Sequence, residues 1–182
     1  GRARIEELNS HLMLLYTGIK RTAADVAESY VANILDRHRQ LRVMRQMVDE
    51  AVSILNGPRD ISAFGALLHE GWRLKKELSD KVSNRDVDSL YATARSAGAL
   101  GGKLTGAGGG GFLLLFAPPG RHKAIRERLG DIIHVPMLFE RDGSQIIFFD
   151  FQEDYEELDL ARAKRDVRAF RELDSLGTEE NP

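Results

Sequence analysis

No cysteine occurs anywhere in the 182 residues. That absence removes disulfides, thiolate metal sites and cysteine nucleophiles together. The five histidines, at 11, 38, 69, 122 and 134, show no i, i+4 spacing with an acidic partner, so a zinc helix is not indicated. No G-x-S-x-G elbow is present to support hydrolase chemistry. Charge of one sign is lacking too: 26 basic against 28 acidic residues leave a net −2, too little for a broad nucleic-acid surface. No apolar run approaches the roughly 18–20 residues that span a bilayer. The opening "GRARIEELNS" also lacks the apolar middle of a signal peptide. A soluble, cytoplasmic protein without membrane or nucleic-acid partners is expected, and the start at Gly1 rather than Met points to a trimmed beginning.

Against these absences, hydrophobic periodicity is clear. "LMLLYTG" (12–18) reads as a short buried strand closed by glycine. A helix follows over 21–38, with Val26, Tyr30 and Ile34 on one face. A second carries Leu41, Met44, Val48, Ala51 and Leu55 and stops at Asn56-Gly57-Pro58. A third places Ile61, Phe64, Leu68 and Trp72 together. A fourth has Ser83 and Asp86 as a capping box and Val87, Leu90, Tyr91 and Ala94 as its stripe. The texture then turns to strands: "GFLLLFAPP", a short helix "RHKAIRERLG", and a hairpin of "VPMLFER" with "QIIFFDF" about Asp142-Gly143. The order predicts an α+β fold with a mainly antiparallel sheet, one face covered by helices. Residues 1–152 form the domain, and the highly charged 153–182 read as a helical tail whose acidic run "EDYEELD" is a solvated face.

Between the fourth helix and the strand lies "GGKLTGAGGGGF", residues 101–112. Four consecutive glycines are costly to order unless the backbone needs shapes other residues avoid. A Walker A loop would need lysine and serine or threonine after its last glycine, where Phe112 stands instead. A dinucleotide fold would need strand, loop, helix, whereas here a helix leads and a strand follows. The protein-kinase loop comes with HRD and DFG motifs that are absent. What remains is a nest of backbone N–H groups, which binds anions without side-chain charge. The preceding helix presents its partly negative end, so a phosphate needs added positive charge from Lys103, Mg²⁺ or another part of the protein. The competing reading is a glycine turn that permits a close backbone crossing and holds no ligand.

"KLTGAGGGGF" resembles the third motif of the GHMP kinase superfamily, in its C-terminal domain. The likeness covers about residues 8–151, and the phrases "LLLYTGIKRTA", "LLHEGWRLKKELS" and "AGALGGKLTGAGGGGFLLLF" are most similar to its D-glycero-D-manno-heptose 7-phosphate kinase branch. The resemblance implies a ferredoxin-like sheet, ATP with Mg²⁺, and phosphorylation of the anomeric hydroxyl of that sugar phosphate, feeding heptose synthesis for bacterial surface polysaccharide. It implies nucleotide-phosphate binding by Lys103, Thr105, Gly106, Ala107, Gly108, Gly109, Gly110 and Gly111. Substrate contacts fall to Tyr16, Arg21 and Thr22. The family's main phosphate loop, P-x-x-x-G-L-x-S-S-x, has no counterpart in these residues. The catalytic residues and the magnesium ligands are therefore expected in an N-terminal half outside this sequence, and the chain alone is expected to be inactive.

His69, Glu70 and Trp72 cluster on the third helix and are read as a packed aromatic with polar neighbours turned to solvent. The alternative for the whole chain is a non-catalytic ferredoxin-like module for small-molecule binding or oligomerisation.

Overall fold

The computed structural model describes residues 1–20, 23–31, 34–140, 142–146 and 156–164. Gly1–Phe139 form one compact unit and Glu140–Pro182 a second.

The first unit begins with a helix that periodicity did not announce, α1 (Arg2–His11). It is pinned from outside through the Arg4 guanidinium, which donates to the Ile54 carbonyl at 2.8 Å and, within the helix, to Glu7 at 2.7 Å. Strand β1 (Leu12–Tyr16) follows, then α2 (Ala23–Val31), α3 (His38–Asn56), α4 (Ser62–Lys76) and α5 (Arg85–Ser96). The helix expected over 21–38 is shorter than its pattern; Ile34–Arg37 form a separate 3-10 turn. β2 (Gly101–Leu104), β3 (Phe112–Phe116), α6 (His122–Leu129) and β4 (Ile133–Val135) complete the unit.

The sheet is fully antiparallel with order β2-β3-β1-β4. With helices between β1 and β2 and between β3 and β4, this is the ferredoxin-like α+β arrangement expected. One detail differs: helices pack on both faces of the sheet. Met13, Leu15, Leu104, Leu113 and Leu115 meet Val26, Val87, Tyr91, Ala94 and Ile125 on one side. Leu12 and Phe116, with alternate phase, meet Ile61, Phe64 and Leu68 on the other. Each fully buried leucine of this kind contributes about 1.5–3 kcal/mol.

Two other expectations are corrected. "GGKL" is not loop but β2, and it is admitted by the close approach of α4. A Cβ at Gly101 would lie 1.8 Å from the Gly65 carbonyl oxygen, so only glycine lets the strand and helix touch. The first arm of the expected hairpin is displaced: β4 ends at Val135 and residues 136–140 form no strand. Pro136 lacks the N–H that would continue the ladder. The second arm, 147–150, lies outside the described residues. So does the proposed boundary at 152/153.

In the second unit, Glu156–Ala163 form the helix α7, and Gly143 takes φ +65° in the expected turn.

Candidate functional site

The glycine segment is a connection between two paired strands rather than a helix-to-strand loop. β2 pairs with β3 from Gly101↔Phe116 to Leu104↔Leu113, and the Thr105 amide extends the ladder to the Phe112 carbonyl at 2.9 Å. The end of α5 at Ser96 is separated from the loop by β2, so the unfavourable helix end expected beside it is not adjacent in the chain. The arrangement shares strand–loop–strand order with protein kinases, without their motifs.

Three segments of the chain, residues 17–19, residues 82–84 and Lys75, clamp residues 105–111. The Thr17 amide and hydroxyl both donate to the Gly111 carbonyl, at 2.9 and 2.8 Å, and the Gly111 amide donates to the Ile19 carbonyl at 2.9 Å. The Gly109 amide donates to the Val82 carbonyl at 2.8 Å. The Asn84 side chain donates to the Gly109 carbonyl at 2.8 Å while its oxygen accepts from the Val87 amide at 3.0 Å. Finally, the Lys75 ammonium donates to the Gly106 carbonyl.

After these bonds, the amides of Gly106, Ala107, Gly108 and Gly110 carry no hydrogen bond among the described residues. Unpaired backbone N–H groups in a rigidly braced turn are the donors of an anion nest. Part of the glycine requirement is steric, as the competing reading held. A Cβ would lie 2.5 Å from the Val82 carbonyl oxygen at Gly108, and 2.3 Å from that of Ile19 at Gly110. Gly108 also takes φ +122°, which side-chain-bearing residues rarely adopt.

Positive charge stands beside the loop. Lys103 lies on β2, and its charge is felt by Lys75 on α4. Burial first, and then Lys103, push the Lys75 ammonium down to about 8. A cavity of about 430 Å³ opens at Gly109, lined also by Asp25, Glu28, Asp80, Lys81, Ser83 and Asn84. Its three carboxylates do not suit a bare phosphate but do accept hydrogen bonds from hydroxyls. Among the described residues no cluster of histidine or carboxylate side chains is arranged for a metal ion.

Of the other site residues, Tyr16 pairs across the sheet with Phe112, ring centroids 5.2 Å apart. Arg21 and Thr22 lie outside the described residues, though Thr17 and Ile19 of the same phrase do brace the loop. His69 and Trp72 belong to packing, as expected: Trp72 is buried, and His69 Nδ1 lies 2.7 Å from the Tyr91 hydroxyl. Burial lowers the His69 pKa and raises that of Tyr91 to about 12.

Lys75, Asn84 and Thr17 were not singled out by sequence. Lys75 shares a helical face with buried Trp72 three positions earlier, which was the available signal. The cap of α5 is Asn84, not Ser83; the Ser83 hydroxyl donates instead to Asp88 at 2.9 Å.

Comparison with known proteins bears on this geometry. A family model described as GHMP kinases C terminal matches residues 38–132. The chain therefore belongs to the GHMP kinase family, a family of phosphotransferases, and corresponds to its C-terminal region. It is 32% identical over 130 residues to the D-glycero-alpha-D-manno-heptose 7-phosphate kinase of Campylobacter jejuni, a match covering 68% of this chain and 38% of that protein. It is 34% identical over 131 residues to the bifunctional fucokinase/GDP-fucose pyrophosphorylase of Arabidopsis thaliana, covering 69% and 12%. The crystal structure of L. major mevalonate kinase in complex with R-mevalonate superposes with a TM-score of 0.58 at 25% identity, covering 68% of this chain and 40% of that one. The chain thus spans well under half the length of these relatives.

Proposed function

We propose that this chain is the C-terminal half of an ATP-dependent sugar-phosphate kinase whose acceptor is the anomeric hydroxyl of D-glycero-D-manno-heptose 7-phosphate. The observation that carries the reading is the set of four unpaired amides in a loop braced on three sides, with Lys75 and Lys103 beside it. In it, Thr105 to Gly111 and Lys103 hold nucleotide phosphates, with Lys75 supporting the loop at Gly106. Phosphoryl transfer depends chiefly on positioning and on neutralising charge spread over the phosphate oxygens. Preorganised amides and ammonium groups supply that without being consumed. ATP brings the transferable γ-phosphoryl and Mg²⁺ the balancing charge, the metal being held by the N-terminal half. Acceptor contacts are assigned to Tyr16, Arg21 and Thr22, since an arginine fork suits the second phosphate of the sugar.

Support for the heptose acceptor comes from the relative that covers 68% of the chain; fucokinase and mevalonate kinases match at similar identity. Among the described residues no helix is long and apolar enough to cross a membrane, and a cytoplasmic setting accords with ATP as donor. The deciding assay uses the full-length protein that contains this chain, with ATP and Mg²⁺, against heptose 7-phosphate, fucose and mevalonate. A kcat/KM highest for heptose 7-phosphate, with phosphate added at the anomeric carbon, is expected. Preference for either of the others would refute the acceptor. Failure to bind ATP would refute the phosphate loop.

A second reading has its own observation. Gly108 and Gly110 are sterically required by Val82 and Ile19, so the loop could be a packing device of a non-catalytic module. Absence of ATP binding in the same experiment favours it.

A further inference from the structure

A second cavity, about 280 Å³, opens between α3 and α4. That is close to the lower bound of small-molecule pockets, about 300 Å³. Met44, Met47 and Ala51 form one wall, and Phe64, Leu68 and Trp72 the other. Among the described residues the lining is apolar except for Lys75 and Lys103, and it contains no carboxylate.

The chemistry of this lining is ill matched to a nucleotide phosphate or a sugar, both of which are strongly hydrated. It matches a molecule with two unlike ends. Neither lysine has an ion-pair partner among the described residues. Lys75 is partly desolvated and repelled by Lys103, a situation an anion would relieve. The Trp72 indole N–H is buried and has no hydrogen-bond partner among the described residues.

We propose that the α3–α4 cavity binds an amphipathic anion, with a hydrocarbon body against the methionines, Phe64 and Trp72 and an anionic head on Lys75 and Lys103. Among the described residues it shares no lining residue with the cavity at Gly109, and its charged end adjoins the proposed nucleotide-phosphate loop, with which it shares Lys103. An ammonium has three donors, so Lys75 can hold the head while keeping the Gly106 carbonyl.

The test is calorimetric titration of the full-length protein with octyl phosphate, octanol and inorganic phosphate. Octyl phosphate should bind at one site, with octanol and phosphate each at least tenfold weaker. Ala51→Phe, which fills the cavity from the α3 side, should abolish octyl phosphate binding. Lys103→Met should weaken octyl phosphate about tenfold and leave octanol unchanged. Octanol binding as tightly as octyl phosphate would overturn the head-group assignment. Octyl phosphate binding undiminished in a folded Ala51→Phe would place the ligand in the glycine loop and overturn the site. Should Ala51→Phe not fold, the tenfold advantage of octyl phosphate over inorganic phosphate in the parent, present or absent, decides alone.

Discussion

Asn84 joins two structures with one amide: its oxygen caps α5 through the Val87 amide at 3.0 Å, and its nitrogen holds the Gly109 carbonyl at 2.8 Å. Replacing it with alanine removes both bonds. A lost cap costs about 1 kcal/mol, and an unmet partly buried carbonyl adds about 1 kcal/mol more. Asn84→Asp keeps the cap and loses the donor, so chemical denaturation should rank Asp between Asn and Ala. ATP affinity of the full-length protein should fall in both variants, since both release Gly109.

Glycines in this region are required for different reasons, and substitutions should separate them. Gly101→Ala would drive a Cβ to 1.8 Å from the Gly65 carbonyl oxygen. Such overpacking costs about 3 kcal/mol or more, and the variant should unfold at markedly lower urea. At Gly106 nothing among the described residues lies within 4 Å of an added Cβ, and its φ of +67° is what resists a side chain. Gly106→Ala should cost about 1–2 kcal/mol and change ATP binding more than it changes stability. Equal losses of stability would contradict this division.

Lys75 should make stability rise with pH. Its folded pKa, about 8, lies below the ordinary 10.5, so the unfolded chain holds the proton more tightly. The penalty is fully present below pH 8 and is relieved as pH rises towards 10.5. After discounting for solvent, about 1–2 kcal/mol is at stake. Denaturation between pH 7.5 and 9.5 should show the increase in the parent and not in Lys75→Met. Tyr91, raised to about 12, stays neutral through that window.

The His69–Tyr91 pair should act at the acid end. Burial lowers the His69 pKa, so its unfavourable protonation removes stability as pH falls through 6.5. Tyr91→Phe leaves His69 Nδ1 without its 2.7 Å partner and should cost about 1 kcal/mol at neutral pH. NMR titration of the imidazole should give a pKa under 6.5 in the parent; a higher value would contradict the burial argument.

Helix stripes were legible because burial imposes period. Val87, Tyr91 and Ala94 of α5, and Ile61 and Trp72 at α4, are buried as their spacing implied. On α3 the stripe is real but half exposed, with Val48 at 57%, because its face lines a cavity instead of a closed core. α1 was invisible to periodicity, since no residue of it is buried and its anchor is Arg4. β2 was hidden because Gly101 and Gly102 carry no side chain to alternate.

For the site, residue identity alone pointed to the glycine run, to Lys103 and to Tyr16. It could not show which loop amides stay unpaired, because that depends on carbonyls of Ile19 and Val82, each tens of residues away. Nor could it distinguish Lys75 from Lys76: one meets Gly106 and the other pairs with Asp88 at 3.0 Å. Composition and periodicity determined the α+β class, the helices and the location of the glycine loop proposed to bind an anion, since these follow from local patterns of burial and backbone freedom. Only the tertiary structure decided which donors are left over for a ligand, because hydrogen bonds between distant segments consume the rest.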